Sequence, residues 1–217
     1  MRLHDHKLNY SHALLLLLLF HLVGCKPVEN KNKLADKFSI SLGDQRWDKN
    51  NLSVMTYRNG DTIPQVSDGE KWDTLTSGAW CYYDNDSVNG TQYGKLYNGY
   101  ALNDKRGLAP TGWRLPADSD WLTLANFYGG MQQAAGKMGA MIPAMEGSHN
   151  NKAAFSANGG GRYDQGIFLF MEDTGNWWIA PGDSNATPLS FTINGNSSSV
   201  KMLQQNRHFG FSVRCLR

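Results

Sequence analysis

The chain has 217 residues, and its 21 Lys and Arg against 19 Asp and Glu give a formal net charge of +2 at pH 7. This length is enough for one domain with a substantial core. The near-neutral charge and the lack of a basic cluster argue against nucleic acid as the main partner, because phosphate binding needs clustered Lys and Arg.

The first 24 residues have the pattern of an export signal. Arg2 and Lys7 precede an apolar run at residues 13–20, which is too short to span the ~30 Å hydrocarbon core of a bilayer. The run LVGC at residues 22–25 resembles a lipobox, in which signal peptidase cleaves before the cysteine and the cysteine receives the lipid. We therefore expect a lipoprotein signal peptide at residues 1–24 and lipid attachment, palmitate included, at Cys25. A buried helix or a membrane span is the alternative.

The segment that follows is predicted to be a tether. Residues 25–42 are polar and rich in Lys and Asn, as in mobile linkers, and a domain is expected over residues 43–217. Lys26, rather than Asp, follows the cysteine, which resembles lipoproteins passed on to the outer membrane. The expected partner is therefore the outer membrane through the lipid, with the membrane face left open.

Two cysteines remain after lipidation of Cys25. In an exported chain, Cys81 and Cys215 most simply form one disulfide, which would tie the C-terminus to the first third of the domain. A reactive or metal-binding thiol is the alternative, but neither cysteine has a CxxC partner.

Short apolar runs between Gly, Asn and Asp turns predict strands along most of the domain. Residues 56–58, before Asn-Gly-Asp at 59–61, have hairpin chemistry. Asn-Gly-Asn at 194–196 predicts a second turn between two strands. The predicted strands are at 166–170, 175–180, 191–193, 199–202 and 209–215. The first of them has the pattern of a buried strand.

Two segments have helical patterns. The first follows Pro116, has apolar side chains at helical spacing, can be capped by Asp118 or Ser119, and ends at the glycines 129–130. The second is an Ala-rich stretch at residues 131–141. These elements together predict an α+β fold, with two helices on small, irregular antiparallel sheets joined by long loops.

Four blocks in this order resemble the Fibrobacter succinogenes major paralogous domain, a family common in lipoproteins of gut and rumen Bacteroidetes. The resemblance covers roughly residues 43–217 and implies a C-type-lectin-like fold. One departure is Ala117, where the family usually has Thr as the helix N-cap. The blocks are TYRNGDTIP at 56–64, AWCYY at 79–83 with YGKLYN at 93–98, LAPTGWRLP at 108–116 and GFSVRC at 210–215.

The sequence predicts no catalytic residue, no metal and no cofactor. Only His149 and His208 remain after removal of the signal, and neither has a second His at ligand spacing. The LAPTGWRLP block also resembles formylglycine-generating enzymes, but their pair of C-terminal cysteines is reduced here to Cys215. The oxygen-rich run at 84–86 could bind calcium, although a polar turn is the favoured interpretation.

Binding is the remaining class of function, because adaptable polar side chains beside aromatic anchors are typical of recognition surfaces and suit glycans. In C-type-lectin-like domains the ligand face is formed by late, irregular loops, and here we expect it between residues 178 and 208. If residues 177 and 178 are extended, their two indoles point to opposite faces, so one is expected in the core and one nearer the surface. The predicted ligand-binding residues are Trp178, Asp183, Asn185, Asn194, Asn196, Ser198, Gln204, Asn206 and His208.

Three functions follow as hypotheses. The favoured one is a lipid-anchored, non-enzymatic envelope protein that recognises a glycan or a protein. The second is a structural or adhesin subunit that makes protein contacts only, and the third is an enzyme of the formylglycine-generating type or a hydrolase. The C-terminal segment also resembles variable regions diversified by retroelements in gut bacteria, which would make the ligand face variable.

Overall fold

The computed structural model describes residues 38–138, 155–157, 159–183 and 186–217. The predicted signal peptide, Cys25 and most of the predicted tether lie outside these residues, as do Asn185 and the end of the second predicted helix. Within the described ranges, no helix is long and apolar enough to cross a membrane.

Ten short strands form three antiparallel sheets in the described part of the chain. In chain order they are β1 (Ser39–Leu42), β2 (Gln45–Asp48), β3 (Trp80–Cys81), β4 (Leu96–Asn98), β5 (Gly160–Asp164), β6 (Ile167–Met171), β7 (Thr174–Trp178), β8 (Leu189–Asn194), β9 (Val200–Gln204) and β10 (Gly210–Phe211). One sheet pairs β1 with β2, the second has the order β3-β4-β10-β5-β6, and the third has the order β7-β8-β9.

Most predicted strands are confirmed, with two differences in their surroundings. The turn at 59–61 brings Thr56 opposite Thr62 in an isolated bridge, and strands β6 to β9 fall where the apolar runs predicted them. The prediction that β6 is buried was wrong, because Ile167 and Phe170 are 59% and 49% exposed at the edge of the five-stranded sheet. Strand β1 begins at Ser39, inside the segment predicted as tether.

The helices in the described residues are short. They are α1 (Gly69–Asp73), α2 (Ser87–Tyr93), α3 (Gly99–Leu102), α4 (Asp118–Phe127) and α5 (Ala134–Lys137), with a 3₁₀ turn at Tyr83–Asn85. Helix α4 confirms the helix predicted after Pro116. Helix α5 has four residues and is the described remnant of the Ala-rich helix predicted at 131–141.

The prediction of a C-type-lectin-like fold with two helices was wrong, although the coarser α+β class is compatible with the structure. Ten strands in three small sheets dominate the described residues, and the longest helix there, α4, has ten residues. The chain has 23 glycines, which interrupt helices and favour turns.

The C-terminal segment joins the three sheets. It was predicted as one strand over 209–215, but only Gly210–Phe211 form a strand, inserted between β4 and β5. Ser212 then bridges Trp177 of the three-stranded sheet, and Leu216 bridges Trp47 of β2. One short segment thus makes backbone hydrogen bonds with strands of all three sheets.

Arg214, in this C-terminal segment, is a buried cation that bridges separated parts of the chain. Its guanidinium donates to the Asn51 side-chain oxygen at 2.7 and 3.1 Å, to the Ser156 carbonyl at 3.2 Å and to the Phe155 carbonyl. It also lies 4.3 Å from the centre of the Phe155 ring. Burial lowers the pKa of Arg214 to about 10. The loss of hydration is therefore offset by hydrogen bonds rather than by a direct ion pair.

The predicted disulfide is not present, since Cys81 and Cys215 are both free, buried thiols. Cys81 packs with Trp72 and Tyr163, whereas Cys215 packs in a different apolar cluster around Trp80 and Tyr97. Burial raises the pKa of both thiols, so neither side chain is set up as a thiolate nucleophile. The cysteines therefore act as small core residues.

Helix α4 begins without the capping side chain that the family usually provides. Ala117 is the N-cap, and the Asp120 carboxylate accepts a hydrogen bond of 2.8 Å from its backbone N–H. The guanidinium of Arg114 holds the same carboxylate with bonds of 2.5 and 2.8 Å and lowers the pKa of Asp120. Asp120 therefore supplies half of a capping box. The sequence had suggested Asp118 or Ser119 as the residue that caps this helix.

Replacing Asp120 by Ala should lower the free energy of unfolding by about 1 kcal/mol, the usual value of a helix cap. Because the folded-state pKa of Asp120 is lowered, its contribution is present above the unfolded pKa of about 4 and is lost as pH falls through the folded value. Urea denaturation of the wild type and the variant at pH 7 measures the loss of unfolding free energy, and the same comparison at pH 3 shows whether this loss becomes smaller. Asp118→Ala is the matched control, and an equal loss in both variants at pH 7 would contradict this role.

Candidate functional site

Trp178 was predicted to bind ligand, but the structure places its side chain in the core. Its side chain is 1% exposed, packs against Phe211 and donates from its indole N–H to the Tyr97 carbonyl at 2.7 Å. The neighbouring Trp177 is also buried, in a separate cluster with Trp121. Both indoles are in the core because this end of β7 is covered on both faces.

His208 and Asn206 stabilise the local backbone. The His208 Nε2 lies 3.0 Å from the Leu75 carbonyl oxygen, and its ring packs edge-on against Tyr100. The Asn206 side-chain oxygen accepts from the His208 backbone N–H at 3.0 Å. These two predicted ligand residues therefore lie together, but their polar atoms hold the turn that precedes β10.

The remaining predicted residues are divided between the edge of the domain and one turn. Asp183 is exposed in the β7–β8 connection, and Gln204 is exposed at the end of β9. Asn194, Asn196 and Ser198 are exposed in the β8–β9 turn. The backbone N–H of Asn196 donates to the Asn194 side-chain oxygen at 2.9 Å, which is the turn chemistry predicted from the sequence.

A groove runs along the open face of the three-stranded sheet. We call it the sheet groove, and it encloses about 330 Å³. Side chains alternate between faces along a strand, so Asn176 and Thr192, which are paired in register, face the groove, whereas Trp177 and Phe191 face the core. The turn residues Asn194 and Asn196 and the β9 flank, with Leu203 and Gln205, complete this wall.

The opposite wall of the sheet groove comes from the β5–β6 hairpin. Phe170, at its edge, is 49% exposed and has a backbone φ of 63°. It lies opposite Gly161, which also has a positive φ of 60°. A bulky residue in this left-handed region costs on the order of 1–3 kcal/mol. The fold therefore accepts local strain at the residue whose aromatic ring lines the groove.

Arg162 lies beneath this ring. Its guanidinium carbon is 5.4 Å from the ring centres of both Phe170 and Phe209, and its Nη2 pairs with the Asp164 carboxylate at 3.2 Å. The Arg162 Nε is buried and has no hydrogen-bond acceptor in the described part of the chain. Arg162 thus supports the exposed ring and leaves one donor unsatisfied beside the groove.

Four side chains, three of which line the groove, form a continuous hydrogen-bond chain at its floor. The Gln205 amide nitrogen lies 2.8 Å from the Ser190 hydroxyl, which lies 3.0 Å from the Thr192 hydroxyl. Thr192 donates to the Asn176 side-chain oxygen at 3.0 Å, and the Asn176 amide donates to the Gly161 carbonyl at 3.3 Å. The chain fixes the polar side chains of the groove in single orientations.

Two further depressions lie nearby. One, of about 360 Å³, shares Thr192, Asn194 and Leu203 with the sheet groove and adds Lys201. The other, which we call the Tyr100 cleft, is more open, encloses about 580 Å³ and is lined by Tyr100, Asn103 and Arg207 among others. The sheet groove is the one of the three that combines an exposed aromatic ring with oriented amides.

The oxygen-rich run at 84–86 is used for helix capping. Asp86 is the N-cap of α2, and its carboxylate accepts from the Val88 backbone N–H at 2.9 Å. The Asn85 amide donates to the Ser67 carbonyl at 3.2 Å. Among the described residues, no group of three His, Cys, Asp or Glu side chains could hold a metal ion. The run forms a polar turn that leads into α2.

Sequence reasoning missed the hairpin wall of the groove. Phe170 was read as part of a buried strand, and Arg162, Asn176 and Gln205 were not singled out. A positive φ at Phe170 cannot be read from an apolar run. The period-2 alternation of β8, however, already placed Thr192 and Asn194 on one face, and this signal could have extended the predicted site along the strand.

The chain matches the model of the Fibrobacter succinogenes major domain over residues 40–217. No curated protein and no solved structure matches it. The matched region includes every strand from β2 onward and the whole sheet groove.

Proposed function

Because the chain belongs to the Fibrobacter succinogenes major domain family, we propose that it is a lipid-anchored cell-envelope protein that binds a glycan, without catalysis, in the sheet groove. In this proposal Cys25 carries the lipid in the outer membrane, and the domain presents the groove. The exposed turn residues Asn194, Asn196 and Ser198 are the positions where a diversified face could vary without disturbing the core.

The observation that carries the proposal is the half-exposed Phe170 ring above a floor of oriented amides and hydroxyls. Sugar rings have apolar CH faces that stack on aromatic rings and hydroxyls that pair with amides. Thr192 is hydrogen-bonded to Asn176, and Gln205 is hydrogen-bonded to Ser190, so little side-chain entropy is lost on binding.

The Phe170 ring would contribute to the binding free energy through the apolar surface that a ligand covers. A Phe side chain has on the order of 150–250 Å² of surface, so covering the 49% of Phe170 that is exposed would remove roughly 100 Å² from water. At about 25 cal/mol per Å², this contributes about 2.5 kcal/mol. This contribution is large compared with a typical net hydrogen bond of about 1 kcal/mol.

Replacing Phe170 by Ala should weaken glycan binding roughly 10- to 30-fold, which corresponds to about 1.4–2 kcal/mol. The measurement is a glycan-array screen of the full-length chain, followed by calorimetric titration of the strongest binder. Phe127→Ala is the matched control, since Phe127 is 48% exposed but lies on α4 outside the groove. Equal affinity of the Phe170 variant and the wild type would argue against the groove.

A structural or adhesin subunit remains the second candidate, and one observation favours it. Strand β6 is an edge strand with the exposed apolar residues Ile167 and Phe170, and such edges can pair with another protein. Failure of every array glycan, together with cross-linking of β6 to one neighbouring envelope protein, would favour this candidate. The positions of Cys81 and Cys215 in separate apolar clusters give no support to an enzyme of the formylglycine-generating type.

A further inference from the structure

We infer that the sheet groove selects uncharged saccharides, and that it reads a ligand hydroxyl through Gln205, whose amide is oriented from behind by Ser190. This inference rests on the proposed function and deepens it by naming the ligand class and a positioning residue. Two independent observations carry it: the compensation of charge around the groove, and the fixed direction of the hydrogen-bond chain on its floor.

The charges at the groove cancel. Arg162 is the cation of the hairpin wall, and the Asp164 carboxylate pairs with it at 3.2 Å. Asp173 lines the groove itself, and Lys201 lines the adjoining depression on the far side of Thr192. Two positive and two negative side chains leave no net charge. A carboxylated or sulfated sugar would then lose hydration without meeting a net positive charge in return.

The direction of the hydrogen-bond chain is set at the Gly161 carbonyl. This oxygen can only accept, so the Asn176 amide nitrogen faces it at 3.3 Å and the Asn176 oxygen faces Thr192. The single Thr192 hydroxyl proton is donated to that oxygen, so Thr192 must accept from Ser190. Ser190 in turn accepts from the Gln205 amide nitrogen. Each proton position follows from the previous one.

The consequence is a fixed acceptor at the open end of the chain. With its nitrogen held by Ser190, Gln205 keeps its amide oxygen without a protein hydrogen bond among the described residues, and it lines the groove. An oxygen acceptor selects a donor, which on a neutral sugar is a hydroxyl group. The Gln205 backbone N–H donates to the Pro188 carbonyl at 2.9 Å. The side chain is therefore the part of Gln205 that can hydrogen-bond to a ligand.

Ser190 is a positioning residue because it does not line the groove. Its side chain is fully buried at 0% exposure, yet it links Gln205 to Thr192. Removing its hydroxyl deletes no atom that lines the groove but frees the Gln205 amide to rotate. Ser190 can therefore affect the affinity only by changing the orientation of Gln205 or Thr192, to which it is hydrogen-bonded.

The test is a double-mutant cycle on binding. The probes are an array of neutral glucose, mannose, galactose and xylose hexasaccharides printed beside oligogalacturonate, oligoguluronate and sialylated oligosaccharides. We expect neutral hexasaccharides to bind and the acidic probes not to. For the strongest neutral probe, Ser190→Ala and Gln205→Ala should each weaken binding roughly 5- to 10-fold, and the double variant should match Gln205→Ala alone.

Ser212→Ala is the matched control, because Ser212 is also fully buried but is not part of the hydrogen-bond chain from Gln205 to Asn176. This variant should leave the affinity unchanged. Stronger binding of acidic probes would overturn the neutral class and leave the proposed function standing. Additive losses in the double variant, or unchanged affinity in Ser190→Ala, would overturn the positioning role. Binding of no probe at all would overturn the proposed function and this inference with it.

Discussion

Replacing Arg214 by Met should lower the free energy of unfolding by about 2–4 kcal/mol. The variant leaves the carbonyls of Phe155 and Ser156 without their donor, and an unsatisfied buried acceptor costs about 1–3 kcal/mol. Asn51 loses two of its three donors and keeps the Trp177 indole at 2.8 Å. Urea denaturation of the full-length chain at pH 7 measures this loss.

Arg214→Lys distinguishes the contribution of the positive charge to stability from the contribution of the guanidinium geometry. Lysine keeps a positive charge and three donors but lacks the planar fork that reaches three acceptors at once. We expect a smaller loss than for Met, because some of the carbonyls stay paired. Unchanged stability of Arg214→Met would contradict this account, since it would mean that burying the cation costs as much as its hydrogen bonds contribute.

Replacing Trp178 by Ala should lower the free energy of unfolding by about 3–5 kcal/mol, the usual range for a buried Trp. The side chain is 1% exposed, so its removal opens a cavity beside Phe211 and frees the Tyr97 carbonyl. Thermal unfolding and urea denaturation measure the loss. If the alanine variant does not fold, Trp178→Phe should still cost about 1–2 kcal/mol through the lost indole donor.

Trp178 also distinguishes a core residue from a ligand contact. Once folded, Trp178→Phe should bind the same array glycan as the wild type with affinity within a factor of two. Trp113→Phe is a matched control, because Trp113 is only partly buried and packs beside Arg217. A Trp178→Phe variant of normal stability that has lost glycan binding would restore the sequence-based prediction for this residue.

Local patterns predicted the elements well where the chain itself carries the reason. Helix α4 follows from apolar spacing after Pro116, and the β8–β9 turn follows from Asn-Gly-Asn at 194–196. Period-2 alternation also predicted that Trp177 and Trp178 point to opposite faces. These features depend on neighbouring residues, so a single sequence is sufficient for them.

The rest depends on contacts between distant residues. Whether the Trp178 face is covered is decided by the C-terminal segment, which bridges β7 at Ser212. Strand β6 is exposed because β10 is inserted between β4 and β5, which leaves β6 at the edge. An apolar run can form either a buried or an edge strand, so Phe170 could not be assigned to a groove from its sequence neighbours.

The cysteines show the same limit. An exported chain with two spare cysteines favours a disulfide on general grounds, but pairing requires the two side chains to meet. Cys81 and Cys215 belong to different apolar clusters, and each is surrounded by aromatic and aliphatic side chains. The two thiols therefore contribute to this domain through core packing, without a covalent link between them.

The central claim is that the sheet groove is where a glycan binds. The most direct measurement is the change in backbone amide chemical shifts of the isotopically labelled full-length chain during titration with the strongest array glycan. We predict the largest changes at Phe170, Asn194 and Gln205, with the Tyr100 cleft unchanged. Changes centred on Tyr100 and Arg207, with none in the groove, would contradict the claim.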